Sequence, residues 1–325
     1  MRTIVTGGAG YIGSVAVDML LEQGHDVVVL DNLQRGHRDA VTTGAELIEC
    51  DLRDRDKTLG IVTAARADAV LHFAALHLVP ESVEKPNEYY RTNVAGGINL
   101  LDAVQTAGVG KFVFSSTAAV YGVPNALPIR EDSPTKPINP YGHSKMMVER
   151  ILQDYSERFG FTHAILRYFN VAGARAGLGE DHRPETHIIP LAIEALIGKR
   201  QAFTVFGTDY DTADGTAVRD YVHVIDLVKA HILALEKLDR TLGVMNLGTR
   251  SGFSVQQMVR AVELTTDQEL PVEYGPRRAG DPPALIADST RARETLGWDP
   301  VHSTLDQMIG SHWDWIQDHP QGYAR

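Results

Sequence analysis

The sequence predicts an α/β protein with a doubly wound parallel sheet, followed by a smaller mixed α/β lobe. Three observations support this prediction. A short apolar strand at residues 3–6 runs directly into a glycine-rich turn, Gly7–Gly13. A helical apolar pattern and a second buried strand ending at Asp31 come next. Strand and helix patterns then alternate as far as residue 171, which is typical of parallel sheets.

The remaining elements of the first part of the chain follow from the same periodicities. Strands are predicted at 46–50, 69–73, 111–115 and 164–168, and helices near 54–66, 87–107 and 140–159. Right-handed crossovers bring the carboxyl ends of parallel strands to one crevice, where ligands bind. Polar and small residues follow these strands at Asp51, Phe73–Ala75, Ser115–Thr117 and Tyr168–Asn170.

The pattern changes after residue 171. A glycine-rich, charged loop covers 173–184, with helices near 186–198, 224–238 and 254–265 and strands around 203–206 and 244–247. We expect a cofactor domain at 1–171 and a substrate lobe at 172–325. Residues 215–240 can return to the first domain, with Val218–Val224 as a strand of the main sheet.

The first turn predicts a dinucleotide site of the Rossmann type. A dinucleotide-binding motif requires a strand, a glycine-rich turn, a helix and a second strand that ends in an acidic residue, and this segment has them in that order. The diphosphate would sit at the helix N-terminus, where free N–H groups favour an anion. Asp31 would accept hydrogen bonds from a ribose and repel a 2′-phosphate, which favours NAD over NADP, although Arg35 lies close by in the sequence.

Tyr141 and Lys145 are the candidate catalytic pair. They lie four residues apart on a helix that should begin after Pro140, so both side chains share one face. We expect the lysine ammonium to favour the phenolate of Tyr141, which could then take a proton from a sugar or alcohol hydroxyl. Thr117, at the end of a predicted strand, would hydrogen-bond the same substrate oxygen.

Composition excludes several classes of function. The net charge of −11 argues against a nucleic-acid partner. No apolar run is long enough to span a membrane. The single cysteine, Cys50, allows no intrachain disulfide, which suits the cytoplasm. The 13 histidines are scattered in the sequence, so no metal site is predicted.

Several motifs resemble the nucleotide-sugar epimerases of the extended short-chain dehydrogenase/reductase superfamily. They are Thr-Gly-Gly-Ala-Gly-Tyr-Ile-Gly, Leu-Asp-Asn-Leu, His-Phe-Ala-Ala, Glu-Ser-Val-x-Lys-Pro, Tyr-Gly-His-Ser-Lys, Arg-Tyr-Phe-Asn and Val-Arg-Asp-Tyr-Val-His-Val. The resemblance implies reversible, NAD-dependent inversion at C4 of UDP-glucose and UDP-galactose. The reaction would pass through a 4-keto sugar, with the cofactor regenerated in each cycle. It also implies a homodimer formed by the helices at 87–107 and 140–159.

The same resemblance assigns site residues. The catalytic residues would be Thr117, Tyr141 and Lys145, and Lys145 would also hold the nicotinamide ribose. The implied cofactor-binding residues are Gly7, Gly10, Tyr11, Ile12, Gly13, Asp31, Asn32, Asp51, Leu52, Phe73, Ala74, Ala75, His77, Asn93, Ser115, Tyr141, Lys145 and Tyr168. The implied substrate-binding residues are Thr117, Asn170, His187, Ile188, Phe206, Arg219, Tyr221, Arg278, Asp281 and Leu285.

Three positions depart from the common pattern of these enzymes. His77 stands where many members carry a lysine near the cofactor diphosphate, and His187 where some carry an asparagine. Leu285 stands at the position that controls room for an N-acetyl group. Acceptance of UDP-N-acetylhexosamines or UDP-pentoses is therefore an open alternative.

Three other functions share parts of this pattern. A nucleotide-sugar 4,6-dehydratase is disfavoured, because its Asp-Glu pair is replaced here by Ala118 and Ala119 after Thr117. A simple dehydrogenase would keep the same three catalytic residues but exchange its cofactor. A regulatory protein that senses NAD without turnover would have no use for Thr117, Tyr141 and Lys145 together.

Overall fold

A computed structural model describes residues 1–278 and 281–324. Its centre is a seven-stranded parallel sheet with the strand order β11-β6-β5-β4-β1-β2-β3. These strands are β1 (Arg2–Thr6), β2 (Asp26–Asp31), β3 (Glu46–Glu49), β4 (Ala69–His72), β5 (Lys111–Thr117), β6 (Thr162–Tyr168) and β11 (Gly243–Leu247). The predicted doubly wound parallel sheet is confirmed.

Helices cover both faces of this sheet and bury its apolar residues. One face packs against α1 (Tyr11–Glu22) and α8 (Val224–Glu236). The other packs against α2 (Arg55–Ala65), α5 (Gly96–Ala107) and α6 (Pro140–Phe159). A strand buried on both sides must be apolar throughout, which explains runs such as Asp26-Val-Val-Val-Leu.

The predicted helix at 87–107 is interrupted. It consists of α4 (Pro86–Tyr89), a π-helical turn at Tyr90–Ala95, and then α5. The side chain of Asn93, within the π turn, accepts a hydrogen bond from the Leu76 N–H at 2.8 Å and donates to the Leu76 carbonyl at 3.0 Å. Tertiary contacts of this kind are not visible in helical periodicity. A short helix that was not predicted, α3 (Val79–Glu84), precedes this segment.

The C-terminal half contributes a smaller mixed lobe with its own apolar core. Its helices are α7 (Ile188–Leu196), α9 (Val255–Thr266), α10 (Thr290–Leu296) and α11 (Leu305–Asp318). Its short strands are β7 (Asn170–Ala172), β8 (Phe203–Phe206), β9 (Val218–Arg219), β10 (Tyr221–His223), β12 (Phe253–Ser254), β13 (Val272–Gly275) and β14 (Ala284–Leu285). The core of the lobe lies among α7, α9 and α11.

The return of the chain to the central sheet differs in detail from the prediction. Within Val218–Val224, β9 pairs with β12 and β14, and β10 pairs with β7, so neither strand joins the central sheet. Instead α8 covers the sheet and β11, expected in the smaller lobe, pairs with β6. We therefore propose a cofactor domain made of 1–171 and 224–247. Among the described residues, no helix is long and apolar enough to cross a bilayer.

Candidate active site

A cavity of about 340 Å³ lies along the carboxyl ends of the central strands. We call it the cofactor cavity. It gathers most of the predicted cofactor residues: Gly7, Gly10, Tyr11, Ile12, Gly13, Asp31, Asn32, Asp51, Leu52, Phe73, Ala74, Ala75, His77, Tyr141, Lys145 and Tyr168. Thr117, Asn170 and His187, predicted to contact substrate, line it as well. The structure thus brings these side chains together, while their individual roles remain predictions.

The glycine turn is shaped by close backbone approach. A Cβ added at Gly13 would lie 2.0 Å from the carbonyl oxygen of Gly7, and one at Gly7 would lie 2.6 Å from the Ala74 nitrogen. Gly7 also has a φ of +73°, which favours glycine. Among the described residues, no side chain caps the N-terminus of α1, and its first turn holds no acidic residue. The free N–H groups can therefore bind a diphosphate.

Asp31 is held in place at the end of β2. Its carboxylate is 8% exposed and accepts hydrogen bonds from the backbone of Ala9 at 3.0 Å and of Leu33 at 2.8 Å. Arg35, which lines the same cavity, is engaged with Glu81 at 2.8 Å and with the Arg183 carbonyl at 2.9 Å. Because its guanidinium is paired there, Arg35 does not offset the preference of Asp31 for a ribose hydroxyl over a 2′-phosphate.

Thr117, Tyr141 and Lys145 meet at the other end of the cofactor cavity. Thr117 ends β5, whereas Tyr141 and Lys145 lie one helical turn apart near the start of α6. Asn139 caps that helix by accepting from Gly142 N–H at 2.8 Å, and Pro140 occupies its first turn. Both features fix the start of α6, and so the face on which the phenol and the amine lie.

The expected acidification of Tyr141 by Lys145 was wrong. Burial raises the pKa of Tyr141 to about 12, and a hydrogen bond with Thr117 opposes this shift. Burial also lowers the pKa of Lys145 to about 7, while Glu149 acts to raise it. Burial disfavours the charged form of each group. The sequence argument considered the neighbouring charge and not the loss of hydration.

Two predicted cofactor residues lie behind the cavity wall. Asn93 bonds the backbone of Leu76 and donates to Ser144 Oγ at 2.9 Å. Ser115 is 1% exposed, and its hydroxyl lies 2.7 Å from His231 Nε2. These side chains position residues of the cavity wall in this structure.

The remaining predicted substrate residues form a separate group in the smaller lobe. The Arg219 guanidinium pairs with Asp281 at 2.6 Å, and the Arg278 guanidinium lies 4.3 Å from the centre of the Phe206 ring. We call these four residues the arginine cluster. Leu285 is adjacent, since β14 pairs with β9 at Leu285 and Arg219. Tyr221 is buried on β10, and Ile188 begins α7.

One cluster at the cavity was not foreseen. Glu180, His182 and His187 line the cofactor cavity, and Glu185 lies close to them. His77 joins them, with its ring 4.7 Å from that of His182. Burial lowers the pKa of His77 well below its usual value, so it carries no charge at neutral pH. The histidines are therefore not all scattered in space, and the spacing Glu-x-His-x-x-Glu-x-His was the signal available in the sequence.

Comparison with protein families decides the classification. The model of the NAD dependent epimerase/dehydratase family matches residues 3–248.

This chain belongs to that family.

Relatives of this epimerase/dehydratase chain share nearly its whole length. A UDP-glucose 4-epimerase of Lactobacillus helveticus is 50% identical over 327 residues, which cover 99% of both chains. The crystal structure of UDP-glucose 4-epimerase from Brucella ovis in complex with NAD has a TM-score of 0.94 at 44% identity, covering 96% of this chain and 97% of that one. The corresponding enzyme from Bifidobacterium longum, in complex with NAD+ and UDP, has a TM-score of 0.93 at 38% identity, covering 99% and 100%.

Membership of the epimerase/dehydratase family confirms three predictions from the sequence. The resemblance carried by the motifs is confirmed, and with it the predictions of an enzyme and of NAD as its cofactor. The cavity fits this cofactor, because the glycine turn allows close backbone approach and Asp31 is fixed where the second strand ends.

Proposed function

We propose that this enzyme interconverts UDP-glucose and UDP-galactose by inverting the configuration at C4 of the sugar. One observation supports this most directly. Thr117, Tyr141 and Lys145 open into the same cavity as the glycine turn and Asp31. At that position a hydroxyl, a phenol and an amine can remove and return the proton of a sugar hydroxyl next to a bound dinucleotide.

The protein's own groups move and hold the proton. Tyr141 takes the proton of the 4-hydroxyl, and Thr117 hydrogen-bonds the same oxygen and the phenol. When bound in this cavity, NAD supplies a hydride acceptor and a positive charge. Such a charge next to the phenol would favour the phenolate of Tyr141, whose pKa burial raises to about 12. Lys145 would hold the nicotinamide ribose. The keto sugar turns its other face before the hydride returns to C4, and Tyr141 gives the proton back to the C4 oxygen.

The arginine cluster is proposed to bind the UDP part of the substrate. Arg219 and Arg278 suit a diphosphate, since a planar guanidinium binds phosphate oxygens through two parallel hydrogen bonds. The ion pair between Arg219 and Asp281, at 2.6 Å, fixes one of these guanidinium groups before substrate arrives. Asn170, which lines the cofactor cavity, donates to the carbonyl of Asp220 at 2.9 Å, and Asp220 directly follows Arg219 in the sequence.

The size of Leu285 supports hexoses without an N-acetyl group as the main substrates. Leu285 packs against the apolar group of Val120, Tyr121 and Ile129, together with Phe169 from the cavity wall. A leucine there leaves less room than a serine or cysteine. Leu285→Ser should raise the kcat/KM for UDP-N-acetylglucosamine relative to that for UDP-galactose. An unchanged ratio would contradict this role.

Turnover without added cofactor separates epimerisation from dehydrogenation. Purified protein is incubated with UDP-galactose and no added NAD, and products are followed by chromatography and NADH absorbance. We expect UDP-glucose to form through many cycles while NADH stays below the enzyme concentration. NADH formed in proportion to the sugar consumed would instead identify a dehydrogenase, and the absence of any turnover would favour a regulatory NAD-binding protein.

We also propose a homodimer in the cytoplasm. The two helices expected at the interface, α5 and α6, pack side by side, and Met147 of α6 is 42% exposed. The single cysteine suits a reducing compartment. Light scattering should give twice the chain mass for the wild type and a lower mass for Met147→Glu. Val301→Glu, an equally drastic change at an exposed site elsewhere, should keep the wild-type mass.

A further inference from the structure

Four side chains of the loop between β7 and α7 converge beside the cofactor cavity. Glu180, His182, Glu185 and His187 each offer one ligand atom, and these four atoms all lie within 4.8 Å of one another. Two imidazoles and two carboxylates are ligand types that divalent transition metals accept. The catalytic proposal uses none of the four as an acid, a base or a proton carrier.

The geometry inside this cluster points to a shared cation. Nδ1 of His182 lies 2.9 Å from Glu180 Oε1, and Nδ1 of His187 lies 2.5 Å from the same oxygen. Nevertheless, none of these three buried atoms has a hydrogen-bond partner of acceptable geometry among the described residues. Glu180 is only 4% exposed, so its carboxylate lies beneath the protein surface.

A tetrahedral zinc ion would satisfy all of these atoms at once. With Zn–N and Zn–O bonds of about 2.0–2.1 Å, neighbouring ligand atoms lie about 3.3 Å apart. The third close pair, His187 Nδ1 and Glu185 Oε1, is 3.3 Å apart. The close pairs, at 2.5, 2.9 and 3.3 Å, thus bracket or match the spacing that a tetrahedral ion needs.

We infer that Glu180, His182, Glu185 and His187 bind a divalent transition-metal ion, with Zn2+ preferred. Four protein ligands leave no open position, which is typical of a structural site. His77, whose buried Nε2 also has no hydrogen-bond partner among the described residues, packs against the ligand His182. His187 would then be a metal ligand and not the substrate contact that its position in the sequence predicted.

The ion would fasten the loop to the wall of the cofactor cavity. The loop already touches the start of α1, where the Tyr11 hydroxyl donates to the Gly173 carbonyl at 2.5 Å. The ring of His182 lies 6.3 Å from that of Tyr11. Loss of the metal should therefore loosen the loop and speed the release of NAD. This inference is independent of the proposed reaction, because it concerns metal content and cofactor retention alone.

Metal binding is tested on the purified NAD-containing protein. After treatment with a chelator, Zn2+ is titrated by calorimetry, and Co2+ is added separately to record its visible absorption. We expect one Zn2+ per chain, tetrahedral Co2+ bands, and slower NAD release when Zn2+ is bound. His182→Ala and Glu180→Gln should each lower the affinity for Zn2+ by at least about tenfold, and His25→Ala, a matched change at a histidine outside the cluster, should not.

Two results would overturn the inference. One is a wild-type chain that binds no Zn2+ at micromolar concentration. The other is an affinity that is the same in His182→Ala, Glu180→Gln and the wild type. Circular dichroism identifies a variant that fails to fold. In that event Glu185→Gln, at a ligand nearer the end of the loop, replaces it with the same expected loss of affinity.

Discussion

The cofactor cavity and the arginine cluster hold their charges in different ways. In the cavity, burial favours neutral groups, and it shifts the pKa of Tyr141 to about 12 and that of Lys145 to about 7. In the arginine cluster, charged side chains are paired with an opposite charge, as Arg219 is with Asp281. The first region is thus suited to moving a proton and the second to holding an anion. Substitutions should therefore affect turnover in one region and substrate affinity in the other.

The largest effect is expected at Tyr141. Tyr141→Phe removes the phenolic oxygen, and positioned acid–base groups contribute about 10²–10⁴-fold to rate. We expect kcat to fall by that factor while the protein still contains NAD, measured by turnover of UDP-galactose and by cofactor analysis after denaturation. Tyr155→Phe is the matched control on the same helix, since the Tyr155 hydroxyl donates to Asp102 away from the cavity. Retained activity in Tyr141→Phe would contradict the proton-transfer role.

A smaller effect of a different kind is expected at Arg219. Arg219→Gln removes a charged donor, and hydrogen bonds to charged groups contribute about 1.5–3 kcal/mol. The KM for UDP-galactose and the Kd for UDP should rise by about 10- to 100-fold, with NAD content unchanged. The control is Arg260→Gln, at an arginine that makes a surface pair with Glu263 at 3.6 Å. Loss of NAD in Arg219→Gln would show that the two regions are not separate in function.

A change at Asp31 tests the predicted ribose contact in the cofactor cavity. Asp31→Asn removes the negative charge and keeps an oxygen acceptor for only one of the two backbone N–H groups, since Ala9 donates to Oδ2 and Leu33 to Oδ1. We expect NAD affinity to fall by about tenfold and the discrimination against NADP to weaken, with UDP binding unchanged. Asp26→Asn changes the other end of the same strand, where the carboxylate pairs with Arg2 at 3.0 Å, and should have no effect on cofactor binding. Equal cofactor affinities in Asp31→Asn and Asp26→Asn would contradict the proposed ribose contact.

The smallest effect concerns acid stability. Burial lowers the pKa of His72 to about 3 and that of His163 and His231 to about 4. Below pH 6.5 these imidazoles bind protons in the unfolded chain but stay neutral in the folded protein. The free energy of unfolding therefore falls as pH drops from 6.5 to 4. Each such histidine contributes about 0.7 kcal/mol to the loss between pH 7 and pH 6.

Replacing one of these histidines measures its contribution to the pH dependence of the free energy of unfolding. His163→Leu removes an imidazole whose Nδ1 has no hydrogen-bond partner among the described residues. Urea unfolding curves at pH 7 and pH 6 should show a pH dependence reduced by about 0.7 kcal/mol in this variant. A pH dependence equal to that of the wild type would mean that His163 takes up its proton in the folded protein.

Local patterns predicted the parallel sheet and the cavity at its edge well. Apolar runs and glycine turns depend on neighbours in sequence, and the glycine turn and Asp31 occupy the places that their spacing indicated. Strands of two residues, such as β9 and β14, carry too little periodicity to be recognised. Their pairing with each other joins residues more than 60 positions apart in the sequence, as in the register of Arg219 with Leu285.

The pKa values of the catalytic groups could not be predicted from their spacing in the sequence. The pKa values of Tyr141 and Lys145 depend on burial beneath other elements, which sequence distance does not report. The cluster at Glu180 and His182 was missed for a related reason. Its segment has no regular secondary structure, so no helical or strand period indicates which side chains face one another.

The number of residues in the π-helical turn at Tyr90–Ala95 sets the direction of the Asn93 side chain, and through it the position of the cavity wall. In an α-helix each residue advances the side-chain direction by about 100°, so one residue fewer would rotate Asn93 away from Leu76. Leu76 follows the Phe-Ala-Ala stretch of the cavity wall and is fastened there by that amide. A single-codon deletion of Tyr90 or Arg91 would give a more regular helix and a poorer enzyme, although neither residue lines the cofactor cavity.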